Sequence, residues 1–191
     1  PSAANALLKM LEEPPPNCLF LLVSHAPGRL LPTIRSRCRR LEFQTLDDDA
    51  MASILSYHVD LGREREQVLS AAAGSAGRAL ALVQMDLIDL DETAVSILRE
   101  GDSTSRRRSK LASELGKRGA GDRYAAFLDL LPSVIAREAR SLTGAPRQRA
   151  VEAYGRVREL VALAPRLSLD PAATIFQLGG ILASVADPQV P

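Results

Sequence analysis

The sequence predicts a mainly helical protein, with two short strands near the start and helices over most of the rest. Three observations carry that reading. Aromatic residues make up only 4% of the 191 residues and tryptophan is absent. The core must then be built from Leu, Val, Ile and Ala, which favours helix-on-helix packing. From residue 46 onward, apolar residues recur at helical spacing. Only two stretches, 18–24 and 39–44, read as strands.

The elements follow in order. Residues 2–13 form a helix that Ser2 caps, with Ala4, Leu7, Leu8 and Leu11 on one face. Pro14-Pro15-Pro16 stops it. Leu21, Leu22 and Val23 suit a buried strand, which ends in Ser24 and His25 and is broken by Ala26-Pro27-Gly28. Pro32 opens a short helix, at a position where a missing N–H costs little. Leu41 and Phe43 alternate with Arg40 and Glu42 in a half-buried second strand. Two strands do not make a self-standing sheet, so they are expected to belong to a larger one.

Asp47–Asp49 caps the next helix, which carries Met51, Ile54, Leu55 and His58 on one face and ends at Gly62. Further helices are expected over 63–73 (Val68, Leu69 and Ala72 inward), from Ser75 (Ala79, Leu80, Val83) and over 88–100, where Gly101 closes. Residues 101–110 read as a linker. Beyond it the pattern gives helices over 105–117, 122–142, 146–164 and 170–186. Pro132 should kink the second of these. Asp170-Pro171 is a cap followed by a first-turn proline. Gly179-Gly180 allows a neighbour to come close.

The formal net charge is +1, so no global field draws the chain to nucleic acid or membrane. Two cysteines, Cys18 and Cys38, are too few for a disulfide scaffold and fit a cytosolic protein. No apolar run reaches the length of a membrane span. Because the chain opens on Pro1 directly in helical sequence, it reads as a fragment of something longer.

Few residues point to chemistry. Nothing matches the phosphate-cradling G-x-x-x-x-G-K-[ST] loop. Cys18, His25 and Cys38 lack the paired spacing of a zinc site. Arg35, Arg37, Arg39 and Arg40 form a basic cluster, and Arg106–Arg108 form another. Charge runs are usually solvated, and the residues alone favour a solvated corner over a phosphate site. The sharper reading has Arg37 reach a phosphate on a neighbouring molecule, since the guanidinium fork binds phosphate oxygens bidentately. Gly74-Ser75-Ala76-Gly77-Arg78 reads as a helix stop followed at once by a capped helix start.

Three stretches taken together resemble a known family: NALLKMLEEPP at 5–15, FLLVSHAPGRLLPTIRSRC at 20–38 and GSAGRAL at 74–80. In this order they resemble the C-terminal part of bacterial DNA polymerase III clamp-loader subunits of the AAA+ class, the delta-prime branch first and gamma/tau next. Ser36-Arg37-Cys38 is the most specific element. The likeness is strong over 2–45, fair over 46–101 and architectural beyond.

The resemblance implies an organisation in three parts. Residues 1–45 would be the end of an AAA+ α/β domain, 46–101 a helical lid and 102–191 a helical collar that joins subunits into a ring. Arg37, flanked by Ser36 and Cys38, matches the arginine finger that enters the ATP site of the adjacent subunit. Ser24 matches sensor 1, and Arg78 lies in the sensor 2 region. Where ATP-binding relatives have Gly-Ser-x-Arg, this chain has Gly77 at the arginine position. It would hold no cofactor and turn nothing over itself, with ATP bound by its neighbour. The implied partners are the gamma/tau and delta subunits, the sliding clamp and primed DNA, in the cytoplasm. Two other readings remain open. One is a gamma/tau-type ATPase motor; the other is a helical scaffold or DNA-binding module using the two arginine clusters.

Overall fold

The structure is a computed structural model that describes residues 2–24 and 27–186; the side chains of residues 2–6, Arg29 and Arg63 lie outside that description. The expectations for His25 and Ala26, and for the Ser2 and Ala4 side chains, therefore fall outside the described residues. The chain divides into two compact units, residues 1–44 and 45–191.

Among the described residues the first unit holds two α-helices, α1 (Ser2–Glu12) and α2 (Pro32–Arg35), which pack on each other, and a short 3₁₀ turn at Pro27–Arg29. Among the described residues there is no strand. The two expected strands, 18–24 and 39–44, are irregular chain that forms no β-ladder among the described residues, which corrects that part of the sequence reading. The physical reason is that a strand is completed by its neighbours. Alternation and β-branching suit a segment to a sheet, but they supply no second edge. As a result the apolar side chains lie open. Leu19, Leu21 and Val23 are each more than four-fifths exposed, and so is Phe43.

The second unit is all helix. Asp47 accepts the Ala50 N–H at 2.8 Å and starts α3 (Asp48–Ser56), which buries Met51 and Leu55. This helix ends at Ser56, short of Gly62, so Ile54 and His58 stay exposed. Helix α4 (Arg65–Ala72) closes through two left-handed residues, Ala73 (φ 48°) and Gly74 (φ 77°). Gly74 also passes so close to the preceding segment that a Cβ there would stand 2.7 Å from the Leu46 carbonyl oxygen. Ser75 caps α5 (Ala76–Gln84) by accepting the Arg78 N–H at 3.4 Å.

Helix α6 (Ile88–Glu100) ends on Gly101, whose φ of 77° only glycine adopts without strain. The buried Asp102 carboxylate then accepts the N–H groups of Arg107 (3.2 Å) and Arg108 (2.9 Å) and so starts α7 (Arg106–Leu115). Helix α8 (Gly121–Glu138) continues through Pro132. Helices α9 (Gly144–Leu163) and α10 (Pro171–Ala186) complete the bundle, and Asp170 caps α10 by accepting the Ala173 N–H at 2.8 Å.

Helix α10 is the centre of this packing, lying against α6, α7 and α9, while α8 spans α6 and α9. Gly179 makes the α10–α7 approach possible: a Cβ there would fall 2.5 Å from the Arg108 Cβ. The core is aliphatic apart from Phe127, with Leu82, Ile97, Leu115, Leu131, Ile135, Ile175 and Leu178 almost fully buried. Phe176 of α10 is partly exposed beneath the Arg108 guanidinium, which lies 4.7 Å from its ring centre. Among the described residues, no helix is long and apolar enough to cross a membrane.

Candidate functional site

The basic corner of the first unit is built on α2. Leu31 precedes Pro32 in the extended conformation that a following proline imposes (ψ 135°). Pro32 then opens the helix without wasting a donor, and Ile34 anchors it by burial. Ser36 continues in helical conformation, its N–H on the Pro32 carbonyl and its hydroxyl on the Thr33 carbonyl at 3.1 Å. The Arg37 N–H bonds to the Ile34 carbonyl at 3.1 Å.

That frame sets the Arg37 side chain. Its guanidinium donates to the Thr33 carbonyl at 3.0 Å and the Ser36 hydroxyl at 3.3 Å, and pairs with the Glu12 carboxylate of α1 at 2.6 Å. The Arg37 side chain is 36% exposed and that of Glu12 50%. Nearby, Arg40 pairs with Glu42 at 2.6 Å. Cys38 is a half-buried free thiol and Cys18 an exposed one. Ser24 is half-buried outside any helix. The structure thus joins Ser36 and Arg37 directly. Glu12 is the member of this site that spacing did not reveal, since it lies 25 positions earlier in another helix.

The remaining candidate, Arg78, belongs to the second unit. It donates to the Ala72 carbonyl at 3.0 Å, which satisfies an open end of α4. Burial lowers its pKa from the ordinary arginine value, and the Arg137 charge lowers it further. Arg137 itself donates to the Ala71 carbonyl and to Asp91, both at 2.8 Å, with only 17% of its side chain and 6% of Asp91's exposed. Burial raises the Asp91 carboxyl above the usual range, against the pull of Arg137. Glu138, also buried, pairs with Arg99 at 2.6 Å. Sequence reading passed over this network because its members sit 46 and 39 positions apart. Among the described residues, no group of three or more His, Cys, Asp or Glu side chains could hold a metal ion.

Comparison with known proteins places this architecture. Residues 1–47 match the family model for "DNA polymerase III, delta subunit". The chain is 42% identical over 98 residues to DNA polymerase III subunit delta' of Escherichia coli K12, covering 51% of this chain and 29% of that protein. It is 31% identical over 138 residues to DNA polymerase III subunit tau of Bacillus subtilis 168, covering 68% of this chain and 24% of the relative. Over 37 residues it is 68% identical to the delta' subunit of Pseudomonas aeruginosa PAO1, covering 19% and 11%. The chain belongs to the delta-prime/clamp-loader family of DNA polymerase III subunits. It spans less than a third of the length of these relatives.

Proposed function

We propose that this chain is the part of a clamp-loader subunit that lends Arg37 to an ATP site on a neighbouring subunit during sliding-clamp loading. The observation that carries the proposal is the state of Arg37. Its guanidinium is accessible, pre-positioned by two hydrogen bonds it donates to the α2 corner, and paired, among the described residues, with one half-exposed carboxylate. An exposed ion pair of this kind contributes roughly 0.2–1 kcal/mol. Exchanging Glu12 for a phosphate group is therefore energetically cheap, while the Thr33 and Ser36 contacts keep the side chain aimed. Charge on a transferred phosphoryl group is then met by a fixed, permanently ionised fork.

In this reading Ser36 and Cys38 shape the corner, and Ser24 is the sensor 1 position. Arg78 lies in the sensor 2 region, but its hydrogen bond goes to the end of α4. The partners are gamma/tau and delta subunits, with the clamp and primed DNA met through the assembled loader in the cytoplasm. No cofactor is assigned to this chain; ATP belongs to the neighbour.

The test is DNA-stimulated ATP hydrolysis by the reconstituted loader. Arg37→Ala should lower the rate by on the order of 10³-fold at sites completed by this subunit, and Arg37→Lys should recover little of it. A loader with Arg37→Ala that hydrolyses ATP at the wild-type rate refutes the assignment. The 68% coverage of this chain by the tau match favours a second reading, in which the chain belongs to a gamma/tau-type ATPase. ATP turnover by the purified subunit alone would favour that one.

A further inference from the structure

The Arg106–Arg108 run divides by role in the structure. Arg107 pairs with Glu100 and bonds to the Gly101 carbonyl, and Arg108 bonds to the Ser105 hydroxyl and covers Phe176. Arg106 is exposed and makes no ion pair among the described residues. It starts a stripe. Lys110 and Ser113 follow at helical intervals, and 100° per residue keeps the three within about 60° of one another over roughly 10 Å of axis, with Lys117 just past the end of the helix.

The far end of that stripe opens into a cleft of about 550 Å³ between the end of α7 and the start of α8. Lys110, Ser113, Glu114, Lys117, Arg118 and Arg123 line it, with the 119–120 turn. Its one carboxylate, Glu114, is taken by Arg123 at 3.1 Å, and Arg123 also donates to the Met85 (2.9 Å) and Asp86 (2.6 Å) carbonyls. Lys110, Lys117 and Arg118 are exposed and have no ion-pair partner among the described residues. The cleft therefore carries three uncompensated positive charges in a chain whose net charge is +1. Helix α8 begins at its rim with no side-chain cap, which leaves first-turn N–H donors available there.

We propose that this stripe and cleft bind the phosphate backbone of a nucleic acid, independently of base sequence. The length of the array fits a repeating anion better than a compact one such as free phosphate. The cleft contains no large apolar or aromatic side chain. It therefore lacks both the anchors that a protein partner uses and the platforms on which bases stack. What remains is phosphate recognition, which positions a strand without reading it. The proposal does not depend on Arg37, which lies in the other unit.

The test is fluorescence anisotropy of the full chain with a labelled DNA duplex, titrated across roughly 50–200 mM salt. Replacing Lys110, Lys117 and Arg118 together by Ala should weaken binding at least about tenfold and flatten the slope of log K against log salt by about 2.7, three phosphate contacts' worth. Lys110→Arg with Lys117→Arg should retain binding, which separates lost charge from lost fold. Replacing Arg147 and Arg156, exposed on α9, should leave it unchanged. The proposal is overturned if the wild-type chain does not bind, or if the triple variant keeps the wild-type affinity and slope. It is equally overturned if polyglutamate at matched charge displaces the duplex as well as unlabelled DNA does, since that marks an acidic protein as the ligand.

Discussion

Replacing Arg137 by Ala should unfold the helical unit more readily than any surface substitution. The guanidinium does two things at once: it neutralises Asp91 and satisfies the Ala71 carbonyl near the end of α4, each at 2.8 Å. Both partners are largely enclosed, so water cannot take over either task. Asp91 also has one carboxylate oxygen, Oδ1, that is buried with no protein partner, so it is already poorly solvated before Arg137 is removed. Breaking a buried pair from one side costs about 3–5 kcal/mol, because a charge is left uncompensated. Against a total stability of about 5–15 kcal/mol, that is a large fraction. For a unit of this size it corresponds to a fall in Tm of roughly 6–20 °C. Urea and thermal melts followed by circular dichroism measure it. The double variant Arg137→Met with Asp91→Leu should recover the part of the loss that comes from the uncompensated charge, since apolar pairs of similar volume replace buried ion pairs at little cost, while the Ala71 carbonyl stays unpaired. A loss below about 1 kcal/mol for Arg137→Ala would refute the argument, because it would mean the pair is solvated like a surface bridge.

Three further outcomes are expected. Burial raises the Asp91 carboxyl above its ordinary value of 3.8. The fold therefore holds that proton more tightly than the unfolded chain does, so the group's stabilising contribution is complete below pH 3.8 and fades as pH rises through its folded pKa. The stability difference between wild type and Asp91→Asn, from urea melts, should accordingly be more favourable to wild type at pH 3 than at pH 7; a difference that grows with pH contradicts it. Gly179→Ala should cost about 1–3 kcal/mol by pushing α7 from α10. Gly77→Ala, where an added Cβ meets nothing within 4 Å, should be neutral or stabilising in the same thermal melt.

What could be read in the sequence was what neighbouring residues decide among themselves. Asp47, Ser75 and Asp170 cap helices, and Gly74 and Gly101 end them, through contacts a few positions long. Those elements stand close to where the pattern put them. The α3 helix stops at Ser56 because Tyr57 and His58 turn back onto Ile54 and Leu55, and the glycine that marked its end starts a separate short turn instead. The strands depended on partners that no local pattern contains. The site divides in the same way. Ser36 and Arg37 are joined by adjacency, whereas Glu12, the Asp91–Arg137 pair and the grip of Arg123 on Met85 and Asp86 are made across long stretches of chain. Nor could the sequence separate Arg106 from Arg107 and Arg108, because the difference lies in what each meets across the bundle.

The open apolar segments of the first unit bear on how this polypeptide behaves at high concentration. A run of exposed apolar side chains outside any helix is a template for other copies of itself. The two segments are unequal in this respect. Between 39 and 43, Arg39, Arg40 and Glu42 interrupt the apolar positions and act as gatekeepers against stacking. From Leu19 to Val23 five apolar residues run without a charge or a proline, three of them more than four-fifths exposed. Aggregation of the isolated chain should therefore start at Leu19–Val23, and a single lysine placed within that run is the smallest change that would keep it in solution.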